Sequence, residues 1–394
     1  MKKTINDVVL KNKKVLIRVD FNVPLKDGVI TSTKRITAAL PTIKKVVSEG
    51  GKAIILSHLG RVKTTDDLQT KSLRVVSIEL ARQLKKSVSF VAETRGRLVE
   101  KAVQAMQPCD VLVLENTRFQ DLNDKAESKN EISLGKYWAS LGDVFINDAF
   151  GTAHRSHASN VGISKNIAES ALGYLMEKEV TSLDKVIKNP THPYVAIIGG
   201  AKVSDKIQML ENLIQKADKM IIGGGMAYTF LKAIGYSTGI SLVEEDFVPM
   251  AKEFLAKYKN KVILPVDHAV AREFKDLKPE FQTGGIKDGY MGLDIGPKSI
   301  ELIKQALQGA KTVVWNGPVG VAEFENYKNG TFSICQVIAE LPNAYTVVGG
   351  GDSVAAVEKL GMTDKFSHVS TGGGASLELL QGLPLPGVEA IQNK

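Results

Sequence analysis

Short apolar runs recur along the chain, and each is followed by a polar or glycine-rich stretch and then by a stretch with helical periodicity. The first half contains the runs VLIRVD, AIILSHLGR, VLVLENTRF and VFINDAFGTAHR. The second half contains YVAIIGGAK, KMIIGGG, VILPVD, TVVWNGPVG, AYTVVGGGDS and HVSTGGG. Nearly continuous apolar strands that alternate with helices are typical of a parallel sheet covered on both faces. The two sets therefore predict an α/β fold with two doubly wound, Rossmann-like parallel-sheet domains.

The segment between the two sets is NIAESALGYLMEKEVTSLDKVIKNPTHP. Apolar residues recur in it at helical spacing, and Pro190 and Pro193 follow. This pattern predicts a long helix around residues 168–188 that joins the domains with a hinge. We place the N-terminal domain at residues 1–170 and the C-terminal domain at 171–374, and we expect the tail, 375–394, to return to the N-terminal domain.

Length and composition narrow the class of protein. The 394 residues exceed what one core usually holds, and the 43% apolar and 24% charged fractions are ordinary for a globular protein. No apolar run is long enough for a membrane span, and the N-terminus lacks the apolar part of a signal peptide. The two cysteines are far apart and form no CxxC motif, which favours a reducing compartment. We therefore expect a cytoplasmic protein.

The net charge of +8 favours an anionic partner. Nucleic acid is the competing interpretation, but the lysines are scattered, and there is no zinc finger, RNP-like motif or long basic block. The strand-end loops also offer few aromatic side chains for stacking on bases. We therefore expect small anionic ligands and neither a nucleic acid nor a membrane as partner.

Ligands of open parallel sheets bind beyond the carboxyl ends of the strands, so the strand-end loops indicate the chemistry. In the first half these loops carry polar and cationic side chains. Arginine presents a planar set of donors that suits phosphate and carboxylate oxygens. The pattern predicts a site for a small molecule with several negative charges, formed by Asp20, Asn22, Arg35, His58, Arg61, Arg118 and Arg155.

In the second half the loops are rich in glycine, at 199–200, 223–225, 349–351 and 372–374. Such loops let backbone N–H groups approach phosphates. Lys202 and Lys206 are four residues apart, so they would share one face of a helix and could neutralise a phosphoryl group. Neither a Walker motif nor a GxGxxG fingerprint is present, which argues against P-loop and Rossmann dinucleotide sites.

Together these stretches resemble the phosphoglycerate kinase family. The matching signatures run in the family's order from about residue 15 to 388, and they are RVDFNVPL, SHLGR, ENTRF, NDAFGTAHRSHAS, GGAKVSDKI, GGGMAYTF, MGLDIGP, WNGPVGVAEFE, VGGGDS and STGGGASLELL. The resemblance implies reversible transfer of a phosphoryl group from 1,3-bisphosphoglycerate to ADP with Mg²⁺, which gives 3-phosphoglycerate and ATP. It also implies that the N-terminal domain binds 3-phosphoglycerate and the C-terminal domain the nucleotide.

The resemblance also implies roles for individual residues. The 3-phosphoglycerate site would comprise Asp20, Asn22, Arg35, His58, Leu59, Gly60, Arg61, Arg118 and Arg155. The nucleotide site would comprise Lys202, Gly223, Gly224, Gly292, Glu323, Gly350, Gly351, Asp352 and Ser353. Asp352 would approach Mg²⁺. The transferring group would be stabilised by Arg35, Lys202, Gly372 and Gly373. Lys206, also a catalytic residue, would face the nucleotide phosphates.

Val62, Val75 and His268 depart from the family pattern, but none of them replaces an implied ligand. Another acyl-phosphate kinase is the alternative enzyme, and a coupled assay with ATP and either 3-phosphoglycerate or acetate would separate the two. We expect the protein to be a monomer.

The two sets of loops predict a motion. Each ligand should contact mainly one domain, whereas the reacting atoms must approach to about 3–3.5 Å. We therefore expect full closure only when both ligands are bound, and at most partial closure with either alone. Small-angle scattering should give the smallest radius of gyration for the doubly liganded protein. An unchanged radius in an active, doubly liganded sample would contradict this closure.

Overall fold

The computed structural model describes all 394 residues. The chain folds into two compact units. Unit 1 comprises Met1–Val180 and Pro384–Lys394, and unit 2 comprises Thr181–Leu383. Each unit contains a six-stranded sheet in which all neighbouring strands are parallel. The predicted fold class, α/β with two parallel-sheet domains, is confirmed. None of the helices combines the length and the apolar character needed to cross a membrane.

The sheet of unit 1 is buried on both faces, which explains why its central strands are continuously apolar. Val15, Leu16 and Ile17, for example, are all fully buried. The strands, in their order across the sheet, are Ser89–Val91, Val111–Leu114, Lys52–Leu56, Lys14–Arg18, Val144–Asn147 and Ser170–Leu172. The α-helices are Lys34–Ser48, Asp66–Thr70, Arg74–Leu84, Arg97–Ala105, Ile132–Ser140, Ile163–Asn166 and Pro386–Glu389. A further helix, Tyr174–Ile187, begins in unit 1 and ends in unit 2.

The C-terminal segment of unit 1 packs against the end of one of these strands. The N–H of Gly387 donates to the carbonyl oxygen of Ala153 at 2.8 Å, and the side-chain amide of Asn147 donates to the carbonyl oxygen of Gly387 at 3.0 Å. Near the N-terminus, the N–H of Lys3 donates to the carbonyl oxygen of Gln392 at 2.8 Å. These bonds fix the last residues of the chain on the unit that contains its first residues.

Unit 2 contains the second parallel sheet, with strands in the order Val262–Ile263, Lys219–Ile222, Tyr194–Ile198, Thr312–Asn316, Tyr345–Gly349 and His368–Val369. Its α-helices are Ile207–Ile214, Met226–Ala233, Val248–Tyr258, Pro297–Leu307, Asn329–Ala339, Gly351–Lys359 and Gly374–Leu380. A separate antiparallel sheet, with strands in the order Glu280–Thr283, Asp267–Ala271 and Met291–Ile295, was not predicted.

His268 lies in the central strand of this antiparallel sheet. The side chain is buried, its Nε2 is 3.1 Å from the carbonyl oxygen of Gly284, and its ring lies 5.5 Å from that of Tyr228. Burial lowers the pKa of His268. The histidine that departs from the family pattern is therefore a neutral, hydrogen-bonded core residue.

The helix predicted around residues 168–188 is shorter than expected, because Ser170–Leu172 forms an edge strand beside Val144–Asn147. The helix itself is Tyr174–Ile187. Gly173 separates the two elements, and a Cβ there would lie only 2.3 Å from an oxygen of Asp148. The apolar spacing alone predicts one continuous helix, because an edge strand of three residues is too short to show a periodicity of its own.

Asp148 joins the end of strand Val144–Asn147 to the start of helix Tyr174–Ile187. Its Oδ1 accepts hydrogen bonds from the N–H groups of Leu175 at 2.9 Å and Met176 at 3.1 Å. The side chain is completely buried, and this burial raises its pKa to about 7 although the two amides oppose the shift. Asp148 therefore caps the helix, and ionisation of its buried carboxyl group costs free energy of folding.

We expect the Asp148 carboxylate to make stability depend on pH. Its folded pKa of about 7 exceeds its ordinary value of 3.8, so the folded state binds more protons between these values. The free energy of unfolding should then fall as pH rises through this window. The side chain of Asp148→Asn cannot ionise and keeps a carbonyl acceptor for both amides. The substitution should therefore remove this pH dependence of the unfolding free energy, which amounts to roughly 4 kcal/mol at most.

Urea denaturation at several pH values between about 4 and 8 measures this dependence. The matched control is Asp124→Asn, because Asp124 is exposed. Parallel pH profiles for the wild type and Asp148→Asn would contradict the prediction.

Candidate functional site

The loops after strands Lys14–Arg18 and Lys52–Leu56 in unit 1 meet through polar contacts. The Oδ1 of Asn22 accepts a hydrogen bond from the N–H of Gly60 at 2.7 Å, and Arg118 Nη1 donates to the carbonyl oxygen of Gly60 at 2.6 Å. The N–H of Asn22 donates to Asp20 Oδ1 at 3.1 Å. The structure therefore brings together Asp20, Asn22, Gly60 and Arg118, which are four residues of the predicted site.

Arg35 joins this group through an ion pair with Asp20. Burial opposes ionisation of Asp20, but Arg35 and the hydrogen bond from the N–H of Asn22 lower its pKa overall. Burial keeps His58 neutral at physiological pH, so Arg35 is the charged partner of Asp20. Gly151 adjoins the pair, and a Cβ there would lie 2.6 Å from Asp20 Oδ2. A side chain at residue 151 would therefore have to displace the Asp20 carboxylate.

His58 is held by Arg18, a residue that is not part of the predicted site. Arg18 Nη2 lies 3.1 Å from His58 Nδ1, and both side chains are buried. A guanidinium group can only donate, so Nδ1 accepts and the proton of the neutral ring lies on Nε2. Burial and the charges of Arg18 and Arg118 lower the pKa of His58 well below its usual range. His58 thus offers an uncharged N–H donor.

The charge of Arg18 is balanced by a second residue that was missed, Glu127. Arg18 Nε donates to Ser159 Oγ at 2.8 Å, and the N–H of Ser159 donates to Glu127 Oε2 at 2.9 Å. Arg18 and Glu127 are fully buried; burial lowers the pKa of the arginine and raises that of the glutamate. No sequence pattern signals this network, because its partners lie 141 and 32 residues apart.

The remaining predicted residues of unit 1 surround this group. The N–H of Leu59 donates to Asn116 Oδ1 at 3.1 Å, which anchors the loop at residues 59–61. Arg61 is exposed, and its positive charge adds to the effect of burial in lowering the pKa of Arg118. Arg155 is also exposed, and its positive charge adds to the effect of burial in lowering the pKa of His157. Unit 1 therefore presents several cations at one edge of its sheet, with Asp20 and Glu127 as counter-ions.

In unit 2 the glycine-rich loops pack closely on one another. The N–H of Met226 donates to the carbonyl oxygen of Gly200 at 3.0 Å, and the N–H of Gly224 donates to that of Val319 at the same distance. Gly224 has a positive φ of 70°, and a Cβ there would lie 2.6 Å from the oxygen of Gly200. Glycine is required here because backbone meets backbone.

Lys206 reaches the end of strand Thr312–Asn316, where its ammonium group donates to Asn316 Oδ1. Burial lowers the pKa of Lys206, while Asp205 and Asp352 act in the opposite direction. Ser353 Oγ accepts a hydrogen bond from the N–H of Gly317 at 2.7 Å. The structure therefore places the loop at residues 350–353 beside Lys206 and Asn316, and Asn316 was not among the predicted residues.

The other predicted residues of unit 2 are less closely connected. Lys202 and Glu323 are exposed. Gly372 and Gly373 precede helix Gly374–Leu380, and the N–H of Gly372 donates to Ser370 Oγ at 3.2 Å. Gly292 packs against Tyr228, whose hydroxyl would lie 1.9 Å from a Cβ at this position. Tyr228 lies on helix Met226–Ala233, which directly follows the glycines at 223–225.

The chain contains no group of three or more His, Cys, Asp or Glu side chains that could hold a metal ion. Asp352 is a single exposed carboxylate in the first turn of helix Gly351–Lys359. Mg²⁺ is commonly held by one or two carboxylates together with phosphates of a substrate. The arrangement therefore fits Mg²⁺ that arrives with a nucleotide and does not fit a metal cage built by the protein alone.

The comparisons with known proteins agree on one family. The family model for phosphoglycerate kinase matches residues 5–383. A phosphoglycerate kinase from Enterococcus faecalis is 60% identical over 396 residues and one from Lacticaseibacillus casei is 58% identical over 391, with 99–100% of each chain covered. The solved phosphoglycerate kinase of Coxiella burnetii has a TM-score of 0.91 at 40% identity, covering 99% of this chain and 98% of its own.

Proposed function

Because the chain belongs to the phosphoglycerate kinase family, we propose that the cations of unit 1 bind 3-phosphoglycerate and that the glycine-rich loops of unit 2 bind the nucleotide. The chain is an enzyme of glycolysis, and it transfers a phosphoryl group reversibly between 1,3-bisphosphoglycerate and ADP. The roles proposed for individual residues explain how these two sets of loops support that reaction.

The observation that carries the assignment in unit 1 is the group formed by Asp20, Asn22, Arg35, Gly60 and Arg118. Its cations are held by backbone and carboxylate contacts rather than left free. Such a preorganised group of donors suits the carboxylate, hydroxyl and phosphate of 3-phosphoglycerate. His58 adds a neutral N–H donor, and the exposed arginines Arg61 and Arg155 add charge.

The reaction needs no general base in either direction. The attacking oxygen belongs to a nucleotide phosphate when ATP is formed and to an ionised carboxylate in reverse. Catalysis then depends on position and charge. We assign stabilisation of the transferring group to Arg35, Lys202 and Lys206 and to the backbone N–H groups of Gly372 and Gly373.

We propose that the nucleotide lies along the glycine-rich loops and that Asp352, at the N-terminus of helix Gly351–Lys359, holds Mg²⁺ with the phosphates. When bound, the ion neutralises part of the phosphate charge. Further nucleotide contacts are assigned to Gly223, Gly224, Gly292, Glu323, Gly350, Gly351 and Ser353. We also propose that the enzyme acts as a monomer in the cytoplasm, where its free cysteines, Cys109 and Cys335, stay reduced.

Two substitutions in unit 1 should act on different kinetic constants. Arg35→Ala should lower kcat, because Arg35 is assigned to the transferring group, whereas Arg118→Ala should mainly raise KM for 3-phosphoglycerate. A lost charged hydrogen bond is worth about 1.5–3 kcal/mol, or about 10- to 150-fold. Steady-state kinetics measure both effects. Arg82→Ala is the control, because Arg82 forms an exposed pair with Glu79, and wild-type kinetics for Arg35→Ala would refute its catalytic assignment.

Asp352→Ala should weaken binding of the Mg-nucleotide and leave binding of 3-phosphoglycerate nearly unchanged, because the two sites are assigned to different units. We expect about a 10-fold loss or more of Mg-nucleotide affinity. Calorimetric titration with each ligand measures this, with Asp364→Ala as an exposed acidic control. Equal loss of both ligands would contradict the division of the two sites.

A further inference from the structure

The segment between Lys202 and Lys206 is held by a carboxylate from a distant part of unit 2. Glu244 Oε2 accepts hydrogen bonds from the N–H groups of Val203 at 2.5 Å and Ser204 at 3.1 Å, and its Oε1 accepts one from Ser204 Oγ at 2.6 Å. Three bonds to two consecutive residues fix the orientation of the segment as well as its position. Lys206, the N-cap residue of the following helix, makes no side-chain cap.

Glu244 is itself fixed to the element that follows the glycine loop at residues 223–225. Its N–H donates to Thr229 Oγ1 at 3.1 Å, and Thr229 is buried in helix Met226–Ala233. The first residue of that helix donates to Gly200. Glu244 therefore links the lysine-bearing segment to the glycine loops that are proposed to bind the nucleotide.

The charge of Glu244 strengthens this link. Burial opposes its ionisation, but the hydrogen bonds from Ser204 and Val203 and the charge of Lys202 lower its pKa overall. The carboxylate is therefore ionised at neutral pH, and hydrogen bonds to an ionised acceptor are stronger than those to a neutral one. Val203 adds an apolar anchor, because its side chain is fully buried.

We propose that Glu244 is a positioning residue for phosphoryl transfer. By holding Val203 and Ser204 it sets where Lys202 and Lys206 present their ammonium groups to the phosphates. A misplacement of about 1 Å can cost about 100-fold in rate, so a residue that touches no reacting atom can control kcat. This inference rests on the proposed function, which assigns the two lysines to the transferring group.

The test compares Glu244→Ala with Glu244→Gln and with Glu245→Ala in the full-length enzyme. The adjacent Glu245 is a matched control, because it is exposed and pairs only with Lys232. Two measurements are made on each variant: hydrogen exchange of the Val203 and Ser204 amides, and kcat and KM for Mg-ATP and 3-phosphoglycerate.

Glu244→Ala should speed exchange of both amides about 10-fold or more and lower kcat about 5- to 30-fold, with KM for 3-phosphoglycerate within about twofold. Glu244→Gln keeps a carbonyl acceptor for both amides, so it should restore most of kcat. Glu245→Ala should match the wild type. If Glu244→Ala does not fold, Glu244→Asp takes its place and should show an intermediate loss of kcat with faster exchange.

The inference is overturned if exchange is unchanged, because Glu244 would then not hold the segment, or if exchange is faster while kcat is unchanged. Lys202→Ala distinguishes a failure of the role proposed for Lys202 from a failure of the positioning role of Glu244. A wild-type kcat for Lys202→Ala would refute the role proposed for that lysine. A defective Lys202→Ala beside a Glu244→Ala with normal kcat would refute only the positioning role of Glu244.

Discussion

Backbone N–H groups in loops after strands and in the first turns of helices have no partner in a neighbouring strand or turn, and in this chain carboxylates accept several of them. Asp267, for example, accepts from the N–H groups of Lys298 and Ser299 at 3.0 and 2.8 Å. Other loop or helix amides are held in the same way by Glu115, Glu127, Asp148, Glu244 and Asp294. Removing one such acceptor would free a loop, not merely weaken a contact.

Carboxylates also explain how unit 1 can concentrate cations, because they supply counter-charges to its arginines. A buried arginine such as Arg18 is costly unless it is paired, and Glu127 provides its counter-charge through Ser159. Asp20 does the same for Arg35. Arg35 keeps 41% of its side chain exposed despite this pair, and Arg61 and Arg155 are exposed, so positive groups remain available for an anionic ligand.

The sequence predicted the parts of the fold that leave a local signal. Apolar runs identified the central strands, and glycines and arginines after them identified most of the proposed site. The antiparallel sheet at residues 267–295 was missed because its edge strand Glu280–Thr283 is largely exposed and lacks an apolar run, and because the pairing of its central strand shifts register between Ala269 and Val270. Arg18 and Glu127 were missed for another reason. Their roles depend on contacts between distant segments, and such contacts leave no periodicity or motif.

The residues that the sequence identifies and those that it does not identify therefore have different roles. Residues proposed to touch ligands follow strands and belong to motifs, whereas the residues that hold them come from elsewhere in the chain, as Glu244 comes 40 residues after Ser204. A reaction without a general base gives this second group unusual weight, because its rate depends on where fixed charges lie. We therefore expect a carboxylate such as Glu244 to have two effects in this enzyme. It stabilises the fold by binding loop amides, and it sets the positions of the charges on which transfer depends.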